Sequence, residues 1–124
     1  MEFATAINCM DGRIQMPVYE WLIKEYGARY VDTITEPGPI RILAEGNSSP
    51  VLESIKRKVE ISVTRHASTL ISITGHYDCL GNPVDKETQL KQILSAIQTV
   101  KSWNFQARVI GLWVDENQEV SRVE

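Results

Sequence analysis

Two short segments gather the residue types that bind a soft divalent metal. Cys9-Met10-Asp11-Gly12-Arg13 reads C-x-D-x-R, and Gly75-His76-Tyr77-Asp78-Cys79 contains H-x-x-C. Both cysteines of the chain and one of its two histidines fall inside them. Zinc favours tetrahedral thiolate and imidazole donors, and a catalytic zinc keeps three protein ligands and one open position. Cys9, His76 and Cys79 supply that count, and the spacing of His76 and Cys79 lets both turn toward one ion. Gly75 and Gly81 are expected to give this turn its conformational freedom.

Two thiolates cancel the formal charge of Zn²⁺, so such a site acidifies water less than an all-imidazole one. An assisting group is needed. Asp11, two residues beyond Cys9, is placed to accept a hydrogen bond from that water, and Arg13 can hold the carboxylate in a forked ion pair. Without Arg13, Asp11 could take the fourth metal position and close the site. Each residue alone has a plainer reading. Cysteines often pack in cores, His76 could be a hydrogen-bonded loop histidine, and an Asp–Arg loop pair contributes little. A Cys9–Cys79 disulfide is a further alternative, opposed by a reducing compartment. The conjunction of all five residues after matching strands favours the metal.

Other polar and aromatic residues carry weaker signals. His66 follows Arg65 near an expected helix end, where capping or exposure explains it. Tyr77 and Asp78 could line a pocket or orient His76, and loop polarity explains them equally well. Glu36 shares that ambiguity. Trp21, Trp103 and Trp113 fall on helix or strand patterns and read as core or interface residues.

The elements that must position the donors follow from periodicity. Residues 3–7 form a mostly apolar run, as in a strand covered on both faces, and deliver Cys9 at its end. Pro17 suits a first helical turn, with Val18, Trp21, Leu22 and Tyr26 at helical spacing and Gly27 as a left-handed stop. Residues 30–34 read as a second strand, closed by Glu36-Pro37-Gly38-Pro39, and residues 40–45 are ambiguous. Ser49 caps a helix with Pro50 at its first position and Val51, Leu52, Ile55, Val59 and Val63 on one stripe, fading near Arg65. Residues 70–74 form a third strand that leads into His76. Asp85 then caps a last helix with Leu90, Ile93, Leu94, Ile97 and Val100 facing inward. Residues 109–114 make a fourth strand, and a turn at Asp115-Glu116-Asn117-Gln118 leads to a short antiparallel edge strand at residues 119–123.

Strands alternating with helices predict an α/β three-layer sandwich around a mostly parallel sheet. The expected order is 2-1-3-4 plus the antiparallel edge strand. Ligands of such sheets gather beyond the strand ends where the order reverses, here between the first and third strands. Those two strands carry Cys9 and His76.

At 124 residues the chain fits one domain, residues 1–124. Its net charge of −3, with charges of both signs scattered, gives no reason to expect a nucleic-acid or membrane-surface partner. No apolar run approaches the ~20 residues of a spanning helix, and the start of the sequence lacks secretory-signal features. The expected location is cytoplasmic.

The ten residues of Cys9 to Arg13 and Gly75 to Cys79 resemble the metal-site motifs of the β-class carbonic anhydrases. More narrowly, the chain is similar to a compact prokaryotic group of carbonic-anhydrase-like proteins. The resemblance implies zinc held by Cys9, His76 and Cys79, with Asp11 and Arg13 as the dyad beside the zinc-bound water. It implies reversible hydration of CO₂ to bicarbonate by a zinc-bound hydroxide, in a pocket completed by a homodimer partner. Typical members precede the first strand with a helical arm. This sequence starts almost directly at that strand, so a different or smaller dimer contact is expected. Leu80 also stands where a glycine often follows the second cysteine. Two other functions share the constellation: hydrolysis of a related small molecule such as COS or CS₂, and a non-catalytic zinc-binding dimer.

Overall fold

Apolar β-branched runs alternate with amphipathic stretches along this chain, and each becomes an element. The computed structural model covers residues 1–124. In chain order the elements are β1 (Phe3–Cys9), α1 (Gly12–Tyr26), β2 (Tyr30–Glu36), α2 (Pro39–Glu45), α3 (Pro50–Arg65), β3 (Leu70–His76), α4 (Lys86–Lys101), β4 (Arg108–Val114) and β5 (Val120–Arg122). The sheet order is β2-β1-β3-β4-β5. The first four strands are parallel, and β5 runs antiparallel to β4. The order therefore reverses between β1 and β3, as the sequence predicts.

Each face of the sheet buries its own apolar cluster, which gives the three layers. On one face Ile7, Ile71, Ile73 and Val109 meet Ile40 and Leu43 of α2, Leu52, Ile55 and Val59 of α3, and Ile93, Ile97 and Val100 of α4. On the other, Ala4, Ala6, Ile110, Leu112 and Val114 receive Ile14, Val18 and Leu22 of α1. Full burial of each large aliphatic side chain contributes roughly 1.5–3 kcal/mol. β3 is buried at all seven positions, as expected of a strand covered on both faces.

Several local expectations need correction. α1 begins at Gly12 with Asp11 as its cap, so Pro17 sits inside the helix instead of in its first turn. Its ring removes the hydrogen bond that an N–H at residue 17 would give the Arg13 carbonyl. Residues 40–45 belong to α2, a two-turn helix bracketed by left-handed glycines, Gly38 (φ 58°) and Gly46 (φ 66°). Leu94 faces outward, 46% exposed. β1 to β4 run one or two residues further than the apolar runs suggest, the ladder continuing through Asn8, Thr35 and Gly75, whereas β5 is shorter than residues 119–123 and pairs only over Val120–Arg122. Gly27, Ser49 and Asp85 bound their helices as expected, Ser49 accepting from the Leu52 N–H and Asp85 from the Thr88 N–H.

Candidate metal centre

β1 and β3 end side by side, and their last residues are Cys9 and His76. Beyond β3, the chain turns through Tyr77 and Asp78 and returns Cys79 to the same place. One donor atom from each of Cys9, His76 and Cys79 lies within 4.8 Å of the other two, and all three residues are buried. The two sulfurs are 3.8 Å apart and the thiols are free. A disulfide requires about 2.05 Å. Two sulfurs on a tetrahedral ion with Zn–S arms of about 2.3 Å would stand roughly 3.8 Å apart. The donor set therefore fits zinc.

The imidazole is oriented for the same task. Its Nδ1 lies 2.9 Å from the Tyr77 carbonyl oxygen, which can only accept, so Nδ1 carries the proton. A neutral ring then exposes a lone pair at Nε2, and that atom is buried without a hydrogen-bond partner. An orphaned buried acceptor is costly unless something binds it.

The free thiols already differ in acidity. Burial opposes ionisation of Cys9, but the adjacent His76 imidazole and the Gly38 N–H, 3.5 Å from the sulfur, outweigh it and lower its pKa. Burial and the neighbouring Cys9 charge push Cys79 upward. His76 is raised: burial works against its charge, and Cys9 more than compensates. Of the two thiols, Cys9 is therefore the one that ionises first.

Asp11 and Arg13 form the expected fork. Arg13 Nε donates to Asp11 Oδ1 at 3.1 Å and Nη2 to Oδ2 at 2.7 Å. Asp11 Oδ1 also caps α1 by accepting from the Arg13 N–H at 2.9 Å. These hydrogen bonds from Arg13 hold the Asp11 pKa down at about 2. Arg13 reaches onward to the Asp78 carbonyl, 3.1 Å from Nη2, so it fastens the start of α1 to the turn that carries two donors.

Backbone packing holds the donor loops together. The bend between His76 and Cys79 is made at Asp78, whose φ is 58°, and not at Gly75 or Gly81. Gly81 is required for room. A Cβ there would lie 2.8 Å from the Gly38 nitrogen and the Pro37 carbonyl carbon. The loop after β2 thus rests directly on the loop after Cys79, with backbone against backbone at Gly38 and Gly81.

Residues that sequence reasoning passed over complete the centre. Gln15 donates to the carbonyls of Cys9 at 2.7 Å and Asp11 at 2.8 Å, and accepts from Asn8 at 3.0 Å. Gln89, on α4, bonds both main-chain groups of His76. A glutamine on an amphipathic helix reads as solvent-facing, so only its position in the first turns after a motif could have marked either. The remaining candidates lie elsewhere. His66 ends α3, contacts Asp32 at 2.6 Å through Nδ1 and stacks on Phe3, at the far end of β1 from Cys9. Glu36 meets the site only through its carbonyl, which accepts from the Met10 N–H. Trp113 is buried in β4, and Trp21 and Trp103 pack half-buried against the apolar clusters. Tyr77 and Asp78 line a cavity of about 510 Å³ with Gln89 and Trp113, and none of the three donor residues borders it. A crevice of about 30 Å³ beside Arg13 and Ile14 does reach His76.

Known structures share this architecture. A β-carbonic anhydrase isoform I from the protozoan Trichomonas vaginalis superposes with a TM-score of 0.56 at 15% identity, covering 95% of this chain and 80% of that one. One of two tetrameric β-carbonic anhydrases from the filamentous ascomycete Sordaria macrospora gives 0.61 at 14% identity, covering 98% and 80%. A β-carbonic anhydrase of Aspergillus fumigatus gives 0.55 at 16% identity, covering 99% and 75%. At such identities the likeness establishes the fold. A comparison with curated proteins finds no match. A family model described as "Putative carbonic anhydrase" matches residues 1–124, the whole of the sequence, and the chain belongs to that family.

Proposed function

We propose that this chain catalyses the zinc-dependent, reversible hydration of CO₂ to bicarbonate, with Cys9, His76 and Cys79 holding the ion. The observation that carries the reading is the buried triad itself: two sulfurs at tetrahedral spacing and an imidazole whose Nε2 has no other partner. Zinc in such a donor set supplies Lewis acidity for activating water. The family membership and the fold support the reaction class.

Asp11 and Arg13 perform separate parts. Asp11, with its pKa near 2, is ionised throughout the neutral range and can accept a hydrogen bond from water without retaining the proton. It therefore orients, and the proton released with each bicarbonate passes on to solvent or buffer. Arg13 occupies both carboxylate oxygens and the Asp78 carbonyl, which keeps Asp11 directed along the helix start. Asp11 stays available to water instead of serving as a fourth ligand.

In this reading the chain is one domain that works in the cytoplasm as a homodimer, without nucleic-acid or membrane partners. Met10 and Leu80, each next to a cysteine ligand, are 62% and 84% exposed and offer apolar cover for a second copy to complete. No helix is long and apolar enough to cross a membrane.

Stopped-flow CO₂ hydration by zinc-loaded protein tests the activity, with Cys79→Ser as the metal-deficient control. Hydration well above buffer, lost with the metal in Cys79→Ser, is expected. Stoichiometric zinc without hydration at pH 7–9 would replace the enzyme with a non-catalytic zinc-binding dimer. Turnover of COS or CS₂ alone would move the substrate and leave the site.

A further inference from the structure

We propose that Gln89 is a positioning residue for the metal centre: its carboxamide takes the place of a missing strand against the main chain of His76 and so fixes where the imidazole points. The proposal rests on the metal-site reading above and adds a residue on a helix that contributes no ligand.

The sheet leaves a gap where His76 sits. β1 pairs with β3 from Thr5–Ile71 to Ile7–Ile73 and stops there, while β4 follows β3 as far as His76–Val114. The Tyr77 N–H bonds the Val114 carbonyl on the β4 side. Consecutive strand residues present their main-chain groups to opposite sides, so those of His76 face the side that β1 has left. His76 is 2% exposed, and both groups would be buried without partners.

Gln89 fills the gap. Its Oε1 accepts from the His76 N–H at 3.1 Å and its Nε2 donates to the His76 carbonyl at 2.8 Å. A carboxamide offers a donor and an acceptor side by side, as a strand residue does. Gln89 is itself 2% exposed, on the first turns of α4, where its own N–H bonds the Asp85 carbonyl at 3.0 Å. The fit is tight on the other side as well. A Cβ on Gly75 would lie 3.0 Å from Gln89 Oε1 and 3.0 Å from Ile93 Cδ1, so glycine before His76 leaves room for the amide.

His76 thus has two restraints with different duties. The Tyr77 carbonyl sets the tautomer and the ring torsion, and Gln89 sets the backbone from which the ring projects. Loss of an orienting partner typically weakens metal binding by about 10–100-fold.

The test uses the full chain with cobalt(II) as a spectroscopic probe and zinc competition against a chromophoric chelator. Gln89→Leu removes both groups that face the His76 main chain, and Gln89→Glu, read at a pH where the carboxylate is ionised, removes the donor to the His76 carbonyl. Each is expected to weaken zinc binding about tenfold and to shift the thiolate-to-cobalt and d–d bands. Gly75→Ala, which displaces Gln89 from the other side, should shift the same bands. Thr99→Val removes a 2.7 Å bond from α4 to the Leu43 carbonyl, away from the metal, and should lower stability with the spectrum unmoved. If Gln89→Leu does not fold, Gln89→Glu and Gly75→Ala decide. A folded Gln89 variant with wild-type zinc affinity and cobalt spectrum would overturn the proposal. Wild-type protein that binds neither metal would overturn the site and this role together. Wild-type protein that binds zinc but leaves CO₂ unhydrated would remove only the catalytic reading, and the spectra would still decide for Gln89.

Discussion

Gly38→Ala tests whether contact between two loops holds the metal centre together, and Gly27→Ala provides its control. Both glycines are left-handed, with φ of 58° and 70°. An alanine in that region costs about 1–2 kcal/mol, and the loss of unfolded-state freedom offsets a similar part at both positions. The surroundings differ. Nothing lies within 4 Å of a Cβ at Gly27, whereas one at Gly38 meets the Gly81 carbonyl oxygen at 2.6 Å and Asn82 Cβ at 2.8 Å. Those neighbours are backbone and the base of a buried side chain, so relief requires the two loops to separate, at about 1–3 kcal/mol more. Gly38→Ala should therefore cost ~2–5 kcal/mol, or roughly 8–20 °C in Tm at about 4 °C per kcal/mol, against about 5 °C for Gly27→Ala. Separation also withdraws the Gly38 N–H from Cys9 and displaces Cys79, two residues before Gly81. Zinc affinity should fall about tenfold in Gly38→Ala and stay unchanged in Gly27→Ala. Thermal melts of the metal-free proteins and zinc competition measure both effects. Equal melting points and equal affinities for the two variants would refute the reasoning.

Three further outcomes are expected. Asp11→Asn should retain zinc and the α1 cap, since asparagine caps as well as aspartate, while kcat for CO₂ hydration falls by about 10²-fold as the water loses its orientation. Chelation of zinc should lower Tm by roughly 15 °C in buffer where the free ion stands about a thousandfold above its Kd, read by calorimetry before and after metal removal. The Asp11 pKa, depressed in the fold from 3.8 to about 2, contributes stability that is fully present above pH 3.8 and lost as pH falls through 2. The Arg13 side chain is 47% exposed, so the screened contribution is only about 1 kcal/mol. Urea midpoints of metal-free wild type and Asp11→Asn should differ at pH 5 and converge as pH falls below 3.

The sequence exposes the donors because their identity and their position after apolar strands are both one-dimensional facts. Cys9, His76 and Cys79 can be read at the ends of the first and third strands, and the order reversal between those strands places them together. What joins the loops is less visible. Gly81 looks like a flexible turn residue, yet its role is to let backbone meet backbone, and its partner Gly38 lies 43 positions earlier. Pro17 reads as a helix start because proline prefers the first turn, but Asp11 is the stronger signal, hidden by its reading as a reactive carboxylate. It is both the cap of α1 and one half of the fork with Arg13. Leu94 follows the helical apolar spacing but sits one residue past buried Ile93, outside the stripe that faces the sheet. The glutamines are silent in sequence because their partners are main-chain atoms, which every residue possesses.

The 70-position separation of Cys9 and Cys79 also bears on how the protein is made. At 5–20 residues per second, roughly 4–14 s pass on the ribosome between the first cysteine and the second. During that interval no complete donor set exists, and Cys9 waits as a solitary nucleophile on a nascent strand. Docking of β3 beside β1 completes the donor set. A bound ion would then tie the end of β1 to the loop after β3, two segments that the ribosome delivers at different times.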